Sequence, residues 1–229
     1  MRILAIDTSC GAASAAVYDD VLRKMLAQET IAMAQGHAEA LGPMVQRVMS
    51  QVEGGFATIG RVAACIGPGS FTGIRIGLAM ARAIALTIEA PVIGVTTFVA
   101  FAGPLLAEPK PGVIATAIDA KHGQVYFQLF EATGRPILAP MIASLRDVVR
   151  VIGAGPARLA GNAAPMLAEE AERTGLVFDA SEASAYPDIV SIARVGLAAD
   201  PEAFPARPLY VKAPDAHPSA GDAIARTEG

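Results

Sequence analysis

The chain has 229 residues, of which 53% are hydrophobic and 17% are charged, and its formal net charge is -4 at pH 7. This length suits one large domain or two small ones with a substantial core. The negative charge gives no electrostatic reason to bind nucleic acid unaided, and no apolar run approaches the roughly 20 residues of a membrane span. The lack of a leader-like segment and the two isolated cysteines favour a reduced, cytoplasmic protein, and the apolar excess favours one with a partner.

The first half of the chain has the pattern of a mixed sheet covered by helices. Apolar runs and alternating segments predict strands at residues 2–9, 12–20, 22–29, 61–67 and 91–96. Apolar residues at helical spacing predict helices at residues 36–52, 71–89 and 97–107. The resulting order βββαβαβα indicates an α/β fold.

The second half begins as a repeat of the first. Residues 107–112, AEPKPG, interrupt the apolar pattern and predict a linker. After the linker, AIDAKHG parallels AIDTSCG, so that Asp119 corresponds to Asp7, and an alternating strand, a polar turn and another strand follow in each half. The remaining elements are predicted to be helix, strand, helix and helix at residues 144–152, 157–162, 163–173 and 188–200.

This repeat predicts two lobes with a cleft between them. Each lobe is one copy of a duplicated βββαβα unit, the first in residues 1–106 and the second in residues 107–229. The last dozen residues are polar, and we expect them to form a loose tail.

The aspartates that end the two corresponding strands are the first candidates for binding chemistry. In two-lobed ATP-binding folds, an aspartate followed at once by a glycine turn can hold a metal–nucleotide phosphate. Here glycine comes only four residues after each aspartate, so the tight turn is missing. Two interpretations stay open: aspartates that only cap turns, or a residual, weak nucleotide site at Asp7, Thr8, Ser9 and Asp119.

The stretch IGPGSFTGIRIGLAMARAIAL, residues 66–86, raises a related question. A strand, a glycine turn and a helix start form an arrangement that binds phosphate, but no Gly-Lys-Ser/Thr follows Gly67. On a helix that begins at Phe71, the apolar arc is wider than the roughly 100° needed to pack on a sheet. Gly73 and Gly77 would let another backbone approach, at about 1 kcal/mol each in helix propensity. We therefore favour packing or partner docking over phosphate binding.

This wide arc and the preceding helix define the predicted partner surface. Methionines lie on or beside both helices, among them Met33 and Met49, and methionine suits surfaces that pack against more than one neighbour. The predicted interface residues are His37, Leu41, Met44, Val45, Val48, Gly73, Ile76, Gly77, Met80 and Ile84. In the absence of another partner, we expect such a patch to pair with itself in a homodimer.

The sequence offers few residues for independent catalysis. His37, His122 and His217 are far apart in the chain, so the two-histidine helix motif of a metallopeptidase is absent. There is no Gly-x-Ser-x-Gly motif, and neither cysteine has an evident catalytic setting. We predict no catalytic and no metal-binding residue. An ATP-dependent small-molecule kinase of a two-lobed fold and a metallopeptidase stay as alternatives.

Several blocks of the sequence, in order, resemble the TsaB (YeaZ) family. They are ILAIDTS, GHAEALGPMV, IGPGSFTGIRIGLAMARAIAL, VIGVTTFVAFA, AIDAKHGQVYF and RPLYVKAPDA. The resemblance runs from Met1 to about Ala216, and the third block is the most specific. Two departures from the family pattern are small: Ala38 replaces the usual serine, and Lys212 stands where arginine is common.

The resemblance implies an actin-like, Hsp70/sugar-kinase (ASKHA) fold and a role in making N6-threonylcarbamoyladenosine at position 37 of tRNAs that read ANN codons. It implies a subunit without activity of its own, which forms a heterodimer with its paralogue TsaD through the helices of the first lobe. TsaD transfers the threonylcarbamoyl group with the assistance of the ATPase TsaE. This chain is expected to contact tRNA only as part of the complex. No cofactor is expected in this chain, whereas ATP and a metal ion are expected in the partner subunits.

Overall fold

Two separate β-sheets form the framework of the protein. The computed structural model describes residues 1–211, so the predicted tail, Lys212 and His217 lie outside the described residues. The strands of the first sheet are β1 (Arg2–Asp7), β2 (Ala12–Asp19), β3 (Lys24–Ala32), β4 (Ile59–Cys65) and β5 (Val92–Val95). The strands of the second sheet are β6 (Val113–Asp119), β7 (Gln124–Glu131), β8 (Met141–Ser144) and β9 (Ala157–Ala160). Residues 96–112, which include the predicted linker 107–112, lie between the last strand of the first sheet and the first strand of the second, and the linker stays a prediction.

Six α-helices connect and cover these strands within residues 1–211. They are α1 (His37–Ser50), α2 (Phe71–Thr87), α3 (Thr97–Ala107), α4 (Leu145–Ile152), α5 (Ala164–Glu172) and α6 (Ile189–Ala198). Side chains before four of the helices accept hydrogen bonds from free N–H groups of the first turn: Ser70, Thr96, Ser144 and Asp188. None of the helices between residues 1 and 211 is both long and apolar enough to cross a membrane.

The two sheets repeat one strand arrangement. The first has the order β3-β2-β1-β4-β5 and the second has the order β8-β7-β6-β9. The strands that end in aspartate, β1 and β6, pair antiparallel with the strand that follows them, β2 and β7 respectively. On their other side they pair parallel with β4 and β9. The predicted duplicated α/β unit is therefore confirmed. One detail differs: residues 135–138 first run beside β7, so the third strand of the second copy starts only at Met141.

Helices α1 and α2 cover one face of the first sheet. The apolar stripe of α1 packs against strand residues such as Leu4 and Ile6 and is fully or almost fully buried at Leu41, Met44, Val45 and Val48. Each such aliphatic side chain contributes about 1.5–3 kcal/mol by its burial. The 3.6-residue period of the stripe fits α1 to the sheet and leaves its polar residues outside.

Helices α3 and α6 are exchanged between the two sheets. Helix α3 follows β5 in the chain but packs on β6 and β9, whereas α6 follows the second sheet and packs on the other face of the first. The two helices touch at Gly103 and Ser191, where a Cβ on the glycine would overlap the serine side chain. The division into residues 1–106 and 107–229 stays a prediction, but a single cut does not describe these contacts. Below, the first lobe means the first sheet with α1, α2 and α6.

Two arginines fix the ends of the exchanged helices. Arg61 Nη1 donates to the carbonyls of Gly196, Leu197 and Ala199 at 3.2, 2.9 and 2.8 Å, at the end of α6. Arg158 Nη1 donates to the carbonyl of Glu108, just after α3, at 2.9 Å. The last carbonyls of a helix carry partial negative charge, so a guanidinium there satisfies them and stabilises the helix end.

Candidate partner surface and interlobe cleft

The glycine turn before α2 packs directly on the turn between β1 and β2. Ser70 N donates to the carbonyl of Ser9 at 2.7 Å, and the Ser70 hydroxyl accepts from Gly73 N at 3.2 Å. A Cβ on Gly73 would overlap the carbonyl of Thr8, and one on Gly77 would lie 2.6 Å from Thr8 Oγ1. The Thr8 hydroxyl donates to the Gly73 carbonyl at 2.6 Å. The glycines therefore allow α2 to approach this turn closely, and packing is their structural purpose.

Asp7 is turned into the protein at the end of β1. Its Oδ1 accepts a hydrogen bond from Ser9 N at 2.9 Å, and its Oδ2 has no partner among residues 1–211. Burial raises the pKa of Asp7 even though hydrogen bonds from Ser9 oppose the shift. A buried carboxyl already bonded to its own turn does not fit a hydrated metal–phosphate group. The side chains of Asp7 and Thr8 are both buried and hydrogen-bonded within the protein, and a nucleotide contact of these two residues stays a prediction.

A cleft of about 460 Å³ lies between the two sheets. Its lining includes Ser9, Cys10, His37 and Ser70 from one side and Asp119, Lys121, Tyr126 and Asn162 from the other. Of the four predicted nucleotide residues, the structure thus brings Ser9 and Asp119 to one cavity. A nucleotide contact of these two residues stays a prediction.

Asp119 has a different environment from its counterpart Asp7. Lys121 Nζ lies 2.8 Å from Asp119 Oδ2, and Lys121 N donates to Oδ1 at 2.8 Å. Partial burial raises the pKa of Asp119, but the hydrogen bonds from Lys121 outweigh it and hold that pKa below its ordinary value. The duplicated aspartates therefore have pKa shifts of opposite sign.

His37 and the two cysteines belong to the packing of the first lobe. His37 is buried, and its Nε2 lies 3.2 Å from the carbonyl oxygen of Cys10. Burial, with the nearby Asp7, raises the pKa of Cys10 to about 12 and the pKa of Cys65 well above its ordinary value. A thiol that stays protonated at neutral pH is a poor nucleophile. Between residues 1 and 211, no group of three or more His, Cys, Asp or Glu side chains is placed to hold a metal ion.

Most of the predicted partner surface lies inside the first lobe. Seven of the ten residues are buried: His37, Leu41, Met44, Val45, Val48, Gly73 and Gly77. As surface residues these seven are wrong predictions, because the apolar stripe that marks a helix in sequence is the stripe that it buries on its own sheet. Ile76, Met80 and Ile84 are half-buried on α2, and their contact with a partner stays a prediction.

The outer face of α2 is the part that remains available. It exposes Ala79, Ala83 and Leu86, the last with 82% of its surface accessible. The charged residues of α2 are Arg75 and Arg82, and the helix has no acidic residue. This face is therefore apolar with charge of one sign.

Sequence reasoning missed a cluster at the start of this face. Phe71 and Tyr210 are each 41% exposed, their ring centroids lie 5.4 Å apart, and the guanidinium carbon of Arg75 lies 3.8 Å from the Phe71 centroid. The spacing of four residues between Phe71 and Arg75 was a usable signal, since such residues are neighbours on a helix. Tyr210 comes from a distant segment and gave no local signal.

Two lobes built from one repeated unit, with a cleft between them and an aspartate at the end of each central strand, give the protein an actin-like, ASKHA-type fold. The solved structure of YeaZ from Pseudomonas aeruginosa has this fold: its TM-score is 0.73 at 24% identity, with 91% of this chain and 99% of that chain covered. The family described as "TsaD: tRNA N6-adenosine threonylcarbamoyltransferase" matches residues 24–200. The chain belongs to this family, and the resemblance to TsaB (YeaZ) is confirmed.

Two sequence relatives show how far the likeness extends. The "tRNA threonylcarbamoyladenosine biosynthesis protein TsaB" of Escherichia coli (strain K12) is 35% identical over 131 residues, which are 57% of this chain and 55% of that protein. An uncharacterized protein of Mycobacterium tuberculosis (strain H37Rv) is 31% identical over 218 residues, which are 95% of each chain. The matched region spans little more than half the length of the TsaB proteins, 55% and 58% for the E. coli and Buchnera aphidicola (strain Sg) examples.

Proposed function

We propose that this chain is a non-catalytic partner of TsaD in the formation of N6-threonylcarbamoyladenosine at position 37 of tRNAs that read ANN codons. The names of the TsaB relatives and the family match support a role in tRNA threonylcarbamoyladenosine biosynthesis. In this proposal TsaD carries out the transfer, TsaE is the ATPase, and ATP and a metal ion are held by those subunits. The chain contacts tRNA only as part of the complex with these subunits.

One observation supports the non-catalytic part of the proposal: the turn after Asp7 is hydrogen-bonded to itself and to the glycine turn before α2. Asp7 bonds to Ser9 N, and Ser9 O accepts from Ser70 N. Gly69 lies so close to the Ser9 carbonyl that a Cβ would overlap it. The N–H groups of Ser9 and Ser70 thus already have acceptors, and a phosphate bound by them would have to break these hydrogen bonds.

The outer face of α2 supports the partner role. At 1.5 Å per residue, a helix of 17 residues is about 25 Å long, enough to pack along another helix. Its half-buried Met80 lies over Gly42 of α1, where a Cβ would be 3.7 Å from the methionine methyl group. The face thus continues from α2 onto α1, and an apolar face of this kind is stabilised when a partner covers it.

Reconstitution tests the proposal. Purified chain, TsaD and TsaE from the same organism would be mixed with tRNA, ATP and threonylcarbamoyl-adenylate, and modified adenosine measured by mass spectrometry. We expect no product without the chain, no product from the chain alone, and full product with the Asp7→Asn and Asp119→Asn variants. Loss of product with either variant, while the complex with TsaD persists, would show that the chain takes part in the chemistry.

Two further measurements separate the alternatives. If the wild-type chain does not co-elute with TsaD in gel filtration, the partner role is wrong. Steady ATP hydrolysis by the chain alone, abolished by Asp7→Ala, would instead support a kinase of this fold. We expect co-elution and no such hydrolysis.

A further inference from the structure

We propose that Arg75 is the recognition residue of the outer face of α2 and that it binds a carboxylate of the partner protein. On the partner, this carboxylate lies between apolar side chains. This inference rests on the proposed function for the identity of the partner, TsaD. It adds the chemistry by which the face selects that partner.

The side chain of Arg75 is held in place before any partner arrives. Its guanidinium stacks on the Phe71 ring, with the central carbon 3.8 Å from the centroid. Its Nε donates to the Tyr210 hydroxyl at 3.1 Å. These two contacts leave Nη1 and Nη2 without a hydrogen-bond acceptor within residues 1–211. Two terminal nitrogens with parallel N–H groups match the two oxygens of a carboxylate.

The position of Tyr210 depends on the segment that carries it. Residues 204–211 run from the edge of β5 across the start of α2. Gly94 N donates to the Phe204 carbonyl at 2.9 Å, and Leu209 N donates to the Ile66 carbonyl at 2.8 Å. Because both bonds are to backbone atoms of the first lobe, the segment fixes Tyr210, and Tyr210 orients Arg75. Tyr210 is therefore a positioning residue.

Composition and exposure mark this cluster as a binding anchor. Phe71 and Tyr210 are each 41% exposed although they are large aromatic side chains. Tyrosine and arginine are enriched among the residues that carry most of the binding energy of protein interfaces. An arginine that is already ordered loses less conformational freedom on binding than a free one.

Charge identifies the occupant as an acidic protein surface. Arg82 already donates through Nη2 to the Ala206 carbonyl at 2.6 Å, whereas both terminal nitrogens of Arg75 lack an acceptor within residues 1–211. The helix has no acidic residue of its own. A second copy that packed α2 against α2 about a two-fold axis would bring arginines towards arginines, which opposes self-association through this helix. A partner helix with a carboxylate between apolar residues meets both features of the face.

Titration calorimetry of the chain with TsaD from the same organism tests the inference. We expect Arg75→Glu to weaken binding about 100-fold or more, and Arg75→Lys, which keeps the charge but loses the planar fork, about 10-fold. Tyr210→Phe keeps the ring but loses the hydrogen bond to Nε, and we expect a loss of about 3- to 10-fold. The matched control is Arg146→Glu, an exposed arginine on α4 of the second sheet, with a change below about 2-fold.

Three controls make the result decisive. Circular dichroism and the melting temperature of each variant are expected to match those of the wild-type chain. Wild-type affinity is expected to fall as salt is raised, and this dependence is expected to be weaker for Arg75→Ala. One Asp→Lys or Glu→Lys substitution on the TsaD surface is expected to restore binding to Arg75→Glu by about 10-fold or more.

Each contrary outcome has its own meaning. If Arg75→Glu binds TsaD as the wild-type chain does, the inference is wrong and the proposed function stands. If the wild-type chain does not bind TsaD, the proposed function fails first. If Arg75→Glu abolishes only self-association in light scattering, the occupant is a second copy. If it abolishes only tRNA binding in a filter assay, the occupant is RNA. Either of the last two results overturns the carboxylate assignment.

Discussion

Gly103 and Ser191 touch at the crossing of the two exchanged helices, with no space between them for even a methyl group. Gly103 lies in α3, which packs on the second sheet, and Ser191 lies in α6, which packs on the first. The Ser191 hydroxyl is also held, because it donates to Asp188 Oδ2 at 2.5 Å in the cap of α6. This contact therefore joins the two halves of the chain through a glycine.

We expect Gly103→Ala to lower the free energy of unfolding by about 1–3 kcal/mol, because the added methyl group overpacks the crossing. In an exposed helix a glycine-to-alanine change would raise the free energy of unfolding by up to about 1 kcal/mol. A decrease would therefore show that the crossing is tightly packed. Urea denaturation gives the measurement. Gly155→Ala is the control, since a Cβ there meets no atom within 4 Å. A stabilised Gly103→Ala variant would show that the helices can separate without cost.

We expect Asp7→Asn to stabilise the protein at about pH 8 by about 1–3 kcal/mol, because a neutral amide replaces a buried carboxylate with an unpartnered oxygen. The pKa of Asp7 is raised in the folded state, so the folded form holds the proton more tightly. The stability of the wild-type protein therefore falls as the pH rises from the unfolded-state pKa through the folded-state pKa. Urea denaturation at about pH 8 and about pH 5 measures the free energy of unfolding of both proteins. We expect the difference between Asp7→Asn and the wild-type protein to be smaller at the lower pH.

Asp119→Asn provides the contrast of opposite sign. The pKa of Asp119 is lowered, so its contribution to stability is present above the unfolded-state pKa and is lost as the pH falls through the folded-state pKa. We expect this variant to be less stable than the wild-type protein at about pH 8. If the free energy of unfolding of Asp7→Asn had the same pH dependence as that of the wild-type protein, the pKa of Asp7 would not be raised in the folded state.

Helices α1 and α2 offer a test that separates core from surface. We expect Met44→Ala to cost about 2–5 kcal/mol, since Met44 is fully buried. We expect Ala83→Glu on the exposed face of α2 to change stability by less than about 0.5 kcal/mol but to weaken the complex with TsaD. Thermal melts and gel filtration with TsaD give the two measurements. An Ala83→Glu variant with undiminished binding would place the partner elsewhere.

We expect Arg61→Ala to destabilise the protein by about 1–3 kcal/mol, because it removes one donor shared by three carbonyls at the end of α6. Arg61→Lys is expected to lose less, because an ammonium group still faces the helix end. Chemical denaturation measures both variants, with Arg146→Ala on the exposed surface as the control. An equal loss for the alanine and lysine variants would assign the effect to the guanidinium geometry instead of its charge.

The fold was predictable because the sequence repeats its pattern. AIDTSCG and AIDAKHG mark the ends of β1 and β6, and the periodicity of the following segments matches the elements that they form, except at the third strand of the second copy. The destination of α6 was not predictable in this way. Periodicity shows that a helix has an apolar face, but it does not show which of two sheets that face covers. The exchange of α3 and α6 is set by tertiary contacts.

The candidate surface was predictable only in part, for a related reason. An apolar residue at helical spacing predicts burial, and neither Leu41 nor Val48 carries a sign that distinguishes the protein's own sheet from a partner. The close packing permitted by Gly73 and Gly77 was predictable from their spacing on one helix. The bond between Arg75 and Tyr210 joins residues 135 positions apart, so no local pattern contains it.

The exchange of helices also sets an order of events on the ribosome. Val95, the end of β5, is synthesised 94 residues before Ile189, the start of α6. At about 5–20 residues per second, that interval lasts roughly 5–20 s. Throughout it, the face formed by residues such as Ile3, Ala63 and Ile93 has been translated, but the helix that covers it has not. The nascent chain therefore exposes that apolar face during its synthesis, and messages truncated before α6 should yield aggregates.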